Sequence, residues 1–440
     1  MHIKIFFAVL LGAFILFSCS TTQHYAKVDD SLNKEQYSES IVALESVKGK
    51  IYNPSRDTVL YYLDRGMLSH YAGNYQDSSE LLNNGERAIE EAFTKSIIRG
   101  AGSFMVNDNV LEYAGEDYED IYINAFNALN YYHQGDIEGA MVEIRRMNIK
   151  LEHLETKYDV SRSELQKQAL ADGVSTADIP PNPNAPSKFS DSALARYLGM
   201  LFYRQDGQDD NARIDRENLR LAFANAPNVY RHPAPASISD ELKIPTGKAR
   251  LNVIAFSGLS PVKRSNTIRI PLPDGHWAKI SLPEMVSRPS IVDRIEVQFD
   301  DGRNFRLEAL EDIDAIARDT FRNRQGLLYT KSIIRALIKA GTSSGLDAAS
   351  DKAEGQLGLV LGILSLGSQA YAEVSEQADL RISRYFPGKA WVGGITVDPG
   401  IYSFRVNFYG SSGNLLNSRD FQNITVNSKT LNLTEAFFLR

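Results

Sequence analysis

The spacing of apolar residues changes once along the chain. From Ser31 to Tyr230 it is helical. In 38–47, Ile41, Leu44 and Val47 recur every third residue on one face, and Asn53-Pro54-Ser55 breaks the run. The proline-rich stretch from Ile179 to Pro186 cannot be helix interior, because each proline lacks a donor and restricts its predecessor. It predicts a loop between helices. His232-Pro233-Ala234-Pro235 through Pro245 predicts a boundary. After Pro245 the period becomes two. Strands are expected over 248–256, 267–272, 294–299, 304–310, 401–409, 421–426 and 430–439. Asp300-Asp301-Gly302 is a hairpin signal, its glycine supplying positive φ. Between these strands, 313–339 predicts a helix with Ile313, Ile316, Ala317 and Phe321 on one stripe. Residues 342–354 are small and polar and predict a mobile stretch. Residues 357–366 are strongly apolar, with Gly358 and Gly362, and suit a close-packed core helix or one that contacts a membrane or partner. The fold class expected is α+β. A helical unit over 31–230 and a linker over 231–246 precede an α+β domain over 247–440, with a helical insertion at about 311–385.

Two segments of the helical unit resemble each other. In 60–92, Gly66 is followed by Gly73-Asn74, Ser78 and Leu82. In 121–147, Ala128 is followed by Gly135-Asp136, Ala140 and Ile144. The pattern resembles the tetratricopeptide repeat, with small residues where paired helices approach and glycine in the turn. A third copy over 192–226 carries Gly199, Phe202 and Ala212, with a stretched turn at 206–210. A generic helical bundle remains the alternative. Under either, each pair needs its neighbours to bury its apolar face. The repeat resemblance implies a partner groove lined by Met67, His70, Tyr71, Leu129, Tyr132 and His133.

The N-terminus reads as an address. His2 and Lys4 precede an apolar run over 5–17, which is too short to span a bilayer. It ends Leu16-Phe17-Ser18-Cys19, which resembles a bacterial lipobox with Phe17 larger than usual. Residues 1–18 are then a lipoprotein signal peptide, Cys19 the lipidated residue and 19–30 a polar tether. An uncleaved membrane anchor is the alternative. Cys19 is the chain's single cysteine, so no internal disulfide can form. Ser20 after the cysteine implies, by resemblance to Gram-negative lipoproteins, the outer membrane facing the periplasm.

Composition adds exclusions. The formal net charge is −7 and no dense Lys/Arg run occurs, which argues against nucleic acid. No nucleophile elbow, P-loop or His-Glu-x-x-His motif is present, and the seven histidines show no helical metal-pair spacing. No catalytic residue, cofactor or metal is assigned. Glu116, Asp117, Glu119 and Asp120 read as an exposed acidic helix start. Arg335, Lys339, Asp379 and Arg381 flank the apolar insertion as a charged cluster, either a contact site for an anionic partner or an ion-pair network. Trp391, Tyr402 and Tyr409 could stack on sugars, with core packing as the alternative.

In order, Gly258-Leu259-Ser260-Pro261-Val262-Lys263, Arg335 to Lys339, Ala378-Asp379-Leu380-Arg381 with Phe386-Pro387, and Pro399-Gly400-Ile401-Tyr402 resemble an uncharacterised family of bacterial envelope lipoproteins with a tetratricopeptide-like first half. Here Ile382-Ser383 stands where that family carries Ser-Trp. The resemblance implies envelope biogenesis by association. The expectation is a non-enzymatic scaffold, held to the membrane by the lipid on Cys19 and binding an envelope protein. The alternatives are a peptidoglycan- or glycan-binding module and an envelope hydrolase.

Overall fold

The computed structural model describes residues 20–98, 108–171, 186–271, 277–342 and 378–440. Cys19, most of the proline-rich stretch and residues 343–377 lie outside them. Chain order begins with α1 (Ser20–Asn33), α2 (Tyr37–Ile51), α3 (Thr58–Tyr71), α4 (Tyr75–Ile98), α5 (Asp117–His133), α6 (Ile137–His153), α7 (Asp159–Ala171), α8 (Ala193–Gln205) and α9 (Asp209–Asn225). Helices α1 and α2, α3 and α4, α5 and α6, and α8 and α9 pack as pairs. Gly73, Gly135 and Gly207 sit in the last three turns at φ +76°, +80° and +70°. In each, the next residue's N–H bonds back to a helix carbonyl: Asn74 to Ser69, Asp136 to Tyr131 and Gln208 to Tyr203. The third turn is therefore equivalent to the others, not stretched. A Cβ on Gly66 would lie 2.8 Å from Leu82 Cδ2, so a larger residue there would displace that leucine. Ser78 departs from the usual alanine for a reason. Its hydroxyl donates to Gly66 O at 2.9 Å and accepts from Asn130 Nδ2 at 2.8 Å.

Two expectations are corrected. The described part of the tether is helix α1, with Tyr25, Val28 and Leu32 buried. Three apolar positions at helical spacing suffice to dock it, although the segment is mostly polar. The linker is not a loose boundary either. A 3₁₀ turn at Ala236–Asp240 buries Ile238, and the buried Glu241 holds Arg204 at 2.7 Å and Arg250 at 2.9 Å.

Strands follow: β1 (Ala249–Leu259), β2 (Val262–Pro271), β3 (Trp277–Val286), β4 (Arg294–Phe299) and β5 (Asn304–Asp312). Helix α10 (Ile313–Thr342) precedes β6 (Pro387–Val397), β7 (Gly400–Tyr409), β8 (Leu415–Val426) and β9 (Asn432–Phe438). Among the described residues, seven strands form one sheet in the order β8-β7-β4-β5-β6-β1-β9, and β2 and β3 form a separate hairpin. β1 is antiparallel to β6 and parallel to β9. The architecture is α+β with an N-terminal helical part.

Alternation along β1 positions both cores. Leu251, Val253 and Ala255 join a cluster drawn from the seven-stranded sheet and Val292 just before β4. Ile254 and Phe256 join a cluster that also contains Met67, Phe126 and Leu129 of the helices. Helices and sheet thus share one core. Burying a side chain of this size contributes about 1.5–3 kcal/mol, so neither half presents a soluble surface to the other.

Candidate functional site

Helices α3 and α5 carry all six residues of the expected groove, and these do converge on one face. The face is not open. Met67, His70 and Leu129 are 0% exposed, Tyr71 is buried, and Tyr132 and His133 are half-buried. β9 covers them. Glu435, fully enclosed on β9, receives His70 Nε2 at 3.2 Å and, on its other oxygen, His133 Nε2. His70 Nδ1 bonds Asn130 Oδ1 at 2.7 Å, and Tyr75 stacks on the His133 ring at 4.2 Å. The Tyr132 hydroxyl donates to Leu431 O at 3.1 Å and accepts from Leu433 N at 2.9 Å. Tyr71 donates to Tyr385 O at 2.7 Å. An edge strand needs its outer backbone groups covered, and here a tyrosine hydroxyl does it. Burial alone would raise the Glu435 carboxyl, but the two imidazoles outweigh it and hold it at about 2. The exposed partner groove is therefore corrected: its occupant is the chain's own last strand.

Of the charged set, Asp379 and Arg381 line a pocket of ≈ 130 Å³ at a seam between α4, α7, α10 and residues 378–381. Arg381 is the hub. Its Nε and NH2 grip Asp379 at 2.9 and 2.8 Å, while NH1 reaches Asp57 at 3.0 Å and Leu111 O at 3.0 Å. Burial would raise Asp379, but the Arg381 fork and Lys263 hold it below the usual carboxylate range. Burial is outweighed at Asp108 too, which pairs with Lys331 and lies below its ordinary value. Arg335 is buried and donates to Ser332 Oγ at 3.1 Å. Lys339 follows on α10, with its side chain outside the described residues. Every carboxylate of this pocket that burial would favour as an acid is thus neutralised by a cation, the opposite of the raised carboxyl a general acid requires.

The acidic run at the start of α5 is a further correction. Glu116, Asp117 and Glu119 are at most 3% exposed. Glu116 meets Lys263 and Arg324, the latter at 2.9 Å, and Asp117 receives Lys157 at 2.8 Å and Tyr158 at 3.0 Å. Glu119 accepts from Tyr113 at 2.8 Å, Glu116 N at 2.8 Å and Ser383 N at 2.6 Å. Two more buried acids join the halves. Asp64 accepts from Tyr52, Ser383 Oγ and Arg384 N, at 2.7, 2.8 and 2.8 Å. Glu311 on β5 accepts from Tyr122, Ser192, Leu194 N and Tyr230. Sequence reasoning missed Glu435, Glu311 and Asp64. A lone acid in the otherwise uncharged strand Leu431–Leu439 was the available signal for Glu435.

The sugar-stacking set does not form a platform. Trp391 is buried and donates to Ser257 Oγ at 2.9 Å, and the Arg294 guanidinium covers the Tyr409 ring at 4.4 Å. Among the described residues no three or more His, Cys, Asp or Glu are arranged to hold a metal ion. Also among them, no helix is long and apolar enough to cross a membrane. Comparison with models of known protein families, with curated proteins and with solved structures gives no match in any of the three.

Proposed function

We propose that this chain is a lipid-anchored scaffold of the bacterial cell envelope, working by holding a partner protein rather than by catalysis. One observation carries the reading. The face of α3 and α5 is spent on the chain's own β9, and buried acids from both halves are tied across the junction. Such clamps fix one arrangement of the two units, which suits a rigid platform better than a hinged enzyme cleft. The partner surface then lies outside this α3–α5 face. The seam is the candidate: exposed Val110, Val160 and Leu380 stand at or beside residues that line its pocket. The resemblance to envelope lipoproteins with a tetratricopeptide-like half, and the lipobox ending at Cys19, supply the setting: the outer membrane, facing the periplasm.

The anchor is tested by metabolic acyl labelling. Cys19→Ala is expected to abolish the label and leave the leader uncleaved. Normal labelling of this variant sinks the anchor. The scaffold is tested by photo-crosslinkers at Val110, Val160 and Leu380 in the full chain in native membranes, with exposed Leu221 as control. A single envelope protein captured from the seam positions and not from position 221 supports it. Equal or absent capture at all four positions contradicts it.

A further inference from the structure

Helix α1 begins at Ser20, the residue after Cys19, and it is docked. Its buried Tyr25 ring meets the rings of Tyr52 and Tyr385, each at 6.4 Å. Asp29 holds Arg384 at 2.9 Å, and that guanidinium lies 4.4 Å from the centre of the Tyr25 ring. From Ser20 to Tyr25 the helix rises about 8 Å. A chain anchored at Cys19 is thus held close to its folded body. Helix α2 decides which part of that body lies beside the anchor. It packs on α1 after a turn of three residues. Ser20 to Asn33 and Tyr37 to Lys50 are equal lengths of helix, each about 20 Å. The C-terminal end of α2 therefore stands level with the first turn of α1, and the Tyr25–Tyr52 contact joins the two.

Charge is sorted along this hairpin. Residues 20–51 carry five acids and four lysines. Four of the acids are paired: Asp29 with Arg384, Asp30 with Lys34 at 2.7 Å, Glu35 with Arg419 at 2.8 Å and Glu45 with Arg65 at 3.1 Å. The fifth, Glu39, lies in the first turn of α2, at the end far from Ser20. Lys48 and Lys50 lie in the last turn of α2, and Lys27 is about 10 Å along α1 from Ser20. All three are exposed. Among the described residues no carboxylate is within ion-pair distance of any of them, and the Lys48 ammonium lies over the Tyr61 ring at 3.5 Å. The dipole at the end of α2 favours a lysine there but gives no reason for Lys27. Three uncompensated cations thus gather toward the anchored end, in a chain whose formal net charge is −7.

We propose that the end of the α1–α2 hairpin beside Ser20 is a membrane-contact surface, on which Lys27, Lys48 and Lys50 meet anionic phospholipid headgroups. The inference rests on the reading that the chain is anchored at Cys19. An anchor there brings these lysines within about 10 Å of the bilayer surface, the range over which its charge acts at ordinary ionic strength. Three exposed cations on two helices enclose no small anion, whereas a bilayer presents many phosphates at once and draws in nearby basic residues. The contact does what a lipid alone does not: it sets which way the platform faces. With the anchored end on the bilayer, the turn between α1 and α2 and the β8 residues beside it point away from the membrane.

The test uses the chain from Ser20 onward with a hexahistidine tag before Ser20, held on vesicles by nickel-chelating lipid. Its outcome is therefore independent of acylation, and failure of the acyl-labelling test leaves it standing. A fluorophore is placed at Ser55→Cys, an exposed site just past α2, or at Ser38→Cys, an exposed site at the far end of the hairpin. The readout is quenching by a nitroxide-headgroup lipid in vesicles of phosphatidylglycerol and phosphatidylethanolamine, against vesicles of phosphatidylcholine. On the anionic vesicles the label at position 55 should be strongly quenched and the label at position 38 barely. In Lys27→Gln/Lys48→Gln/Lys50→Gln the ratio of contacting to free orientations should fall roughly tenfold or more, by the contribution of three basic residues at such a surface. Lys429→Gln, at an exposed lysine between β8 and β9, should leave it unchanged. Equal quenching at the two positions, or stronger quenching at position 38, overturns the proposal. So does a contrast that survives in the triple variant or is as large on phosphatidylcholine, which would mean that the headgroup charge plays no part.

Discussion

Glu311→Ala is expected to cost the folded state about 3–5 kcal/mol, from four buried donors left unpaired at about 1 kcal/mol each. Glu311 is 1% exposed and sits where β5 shifts register against β6. Its carboxylate receives the Tyr122 hydroxyl from α5, Ser192 Oγ at 2.7 Å and Leu194 N at 2.9 Å at the start of α8, and the Tyr230 hydroxyl at 2.9 Å. Burial pushes this carboxyl up, and these donors pull against it. Removing it leaves donors from three separate segments facing a space that no remaining side chain fills. Denaturant unfolding of the chain from Ser20 measures the loss. A change below about 1 kcal/mol would mean that water satisfies those donors and that the clamp is dispensable.

Stability is expected to fall by roughly 3 kcal/mol between pH 5 and pH 8 through Glu119 alone. Burial is the main cause of its elevation to about 7, with the Glu116 charge adding to it, against the hydrogen bonds from Glu116 N, Ser383 N and Tyr113. The folded value lies above the ordinary value of 4.5, so the native state binds the proton more tightly than the unfolded chain. The contribution is fully present below about 4.5 and is lost as the pH rises through about 7. Asp215, raised to about 6 chiefly by burial, adds a slope of the same sign at slightly lower pH. Glu119→Gln keeps the volume and removes the titration. Its profile should be flatter than wild type across this window, although its amide opposes one of the backbone donors. Parallel profiles would contradict the assignment.

The sequence makes the elements legible and leaves their assembly hidden, for a physical reason. Periodicity reports whether a segment has an apolar face. The turns at Gly73 and Gly135 and the strands 294–299 and 401–409 follow from local spacing. Periodicity does not report what that face meets. Met67, Tyr71 and Leu129 read as groove residues because repeat helices commonly leave such a face for a partner. Here the covering element, β9 with Leu431 before it, lies some three hundred residues downstream. The acidic run at 116–120 failed for the same reason, since its cations Lys263 and Arg324 come from β2 and α10. The Asp379–Arg381 pair was legible as charge clustered near the insertion, and its ties to Asp57 and Leu111 decide for an ion-pair network. The tether was misread because Tyr25, Val28 and Leu32 are few, although their spacing is helical.

The central claim is that helices and sheet form one cooperative body joined through β9 and the buried acids. Its most direct test is equilibrium unfolding in urea, followed by fluorophores on two single-cysteine variants of the chain from Ser20, which has no cysteine of its own. Arg213→Cys reports from exposed α9 and Gln422→Cys from exposed β8. A shared core predicts coincident transitions with one midpoint. Two separated midpoints would mean that the halves fold independently, and would contradict the account.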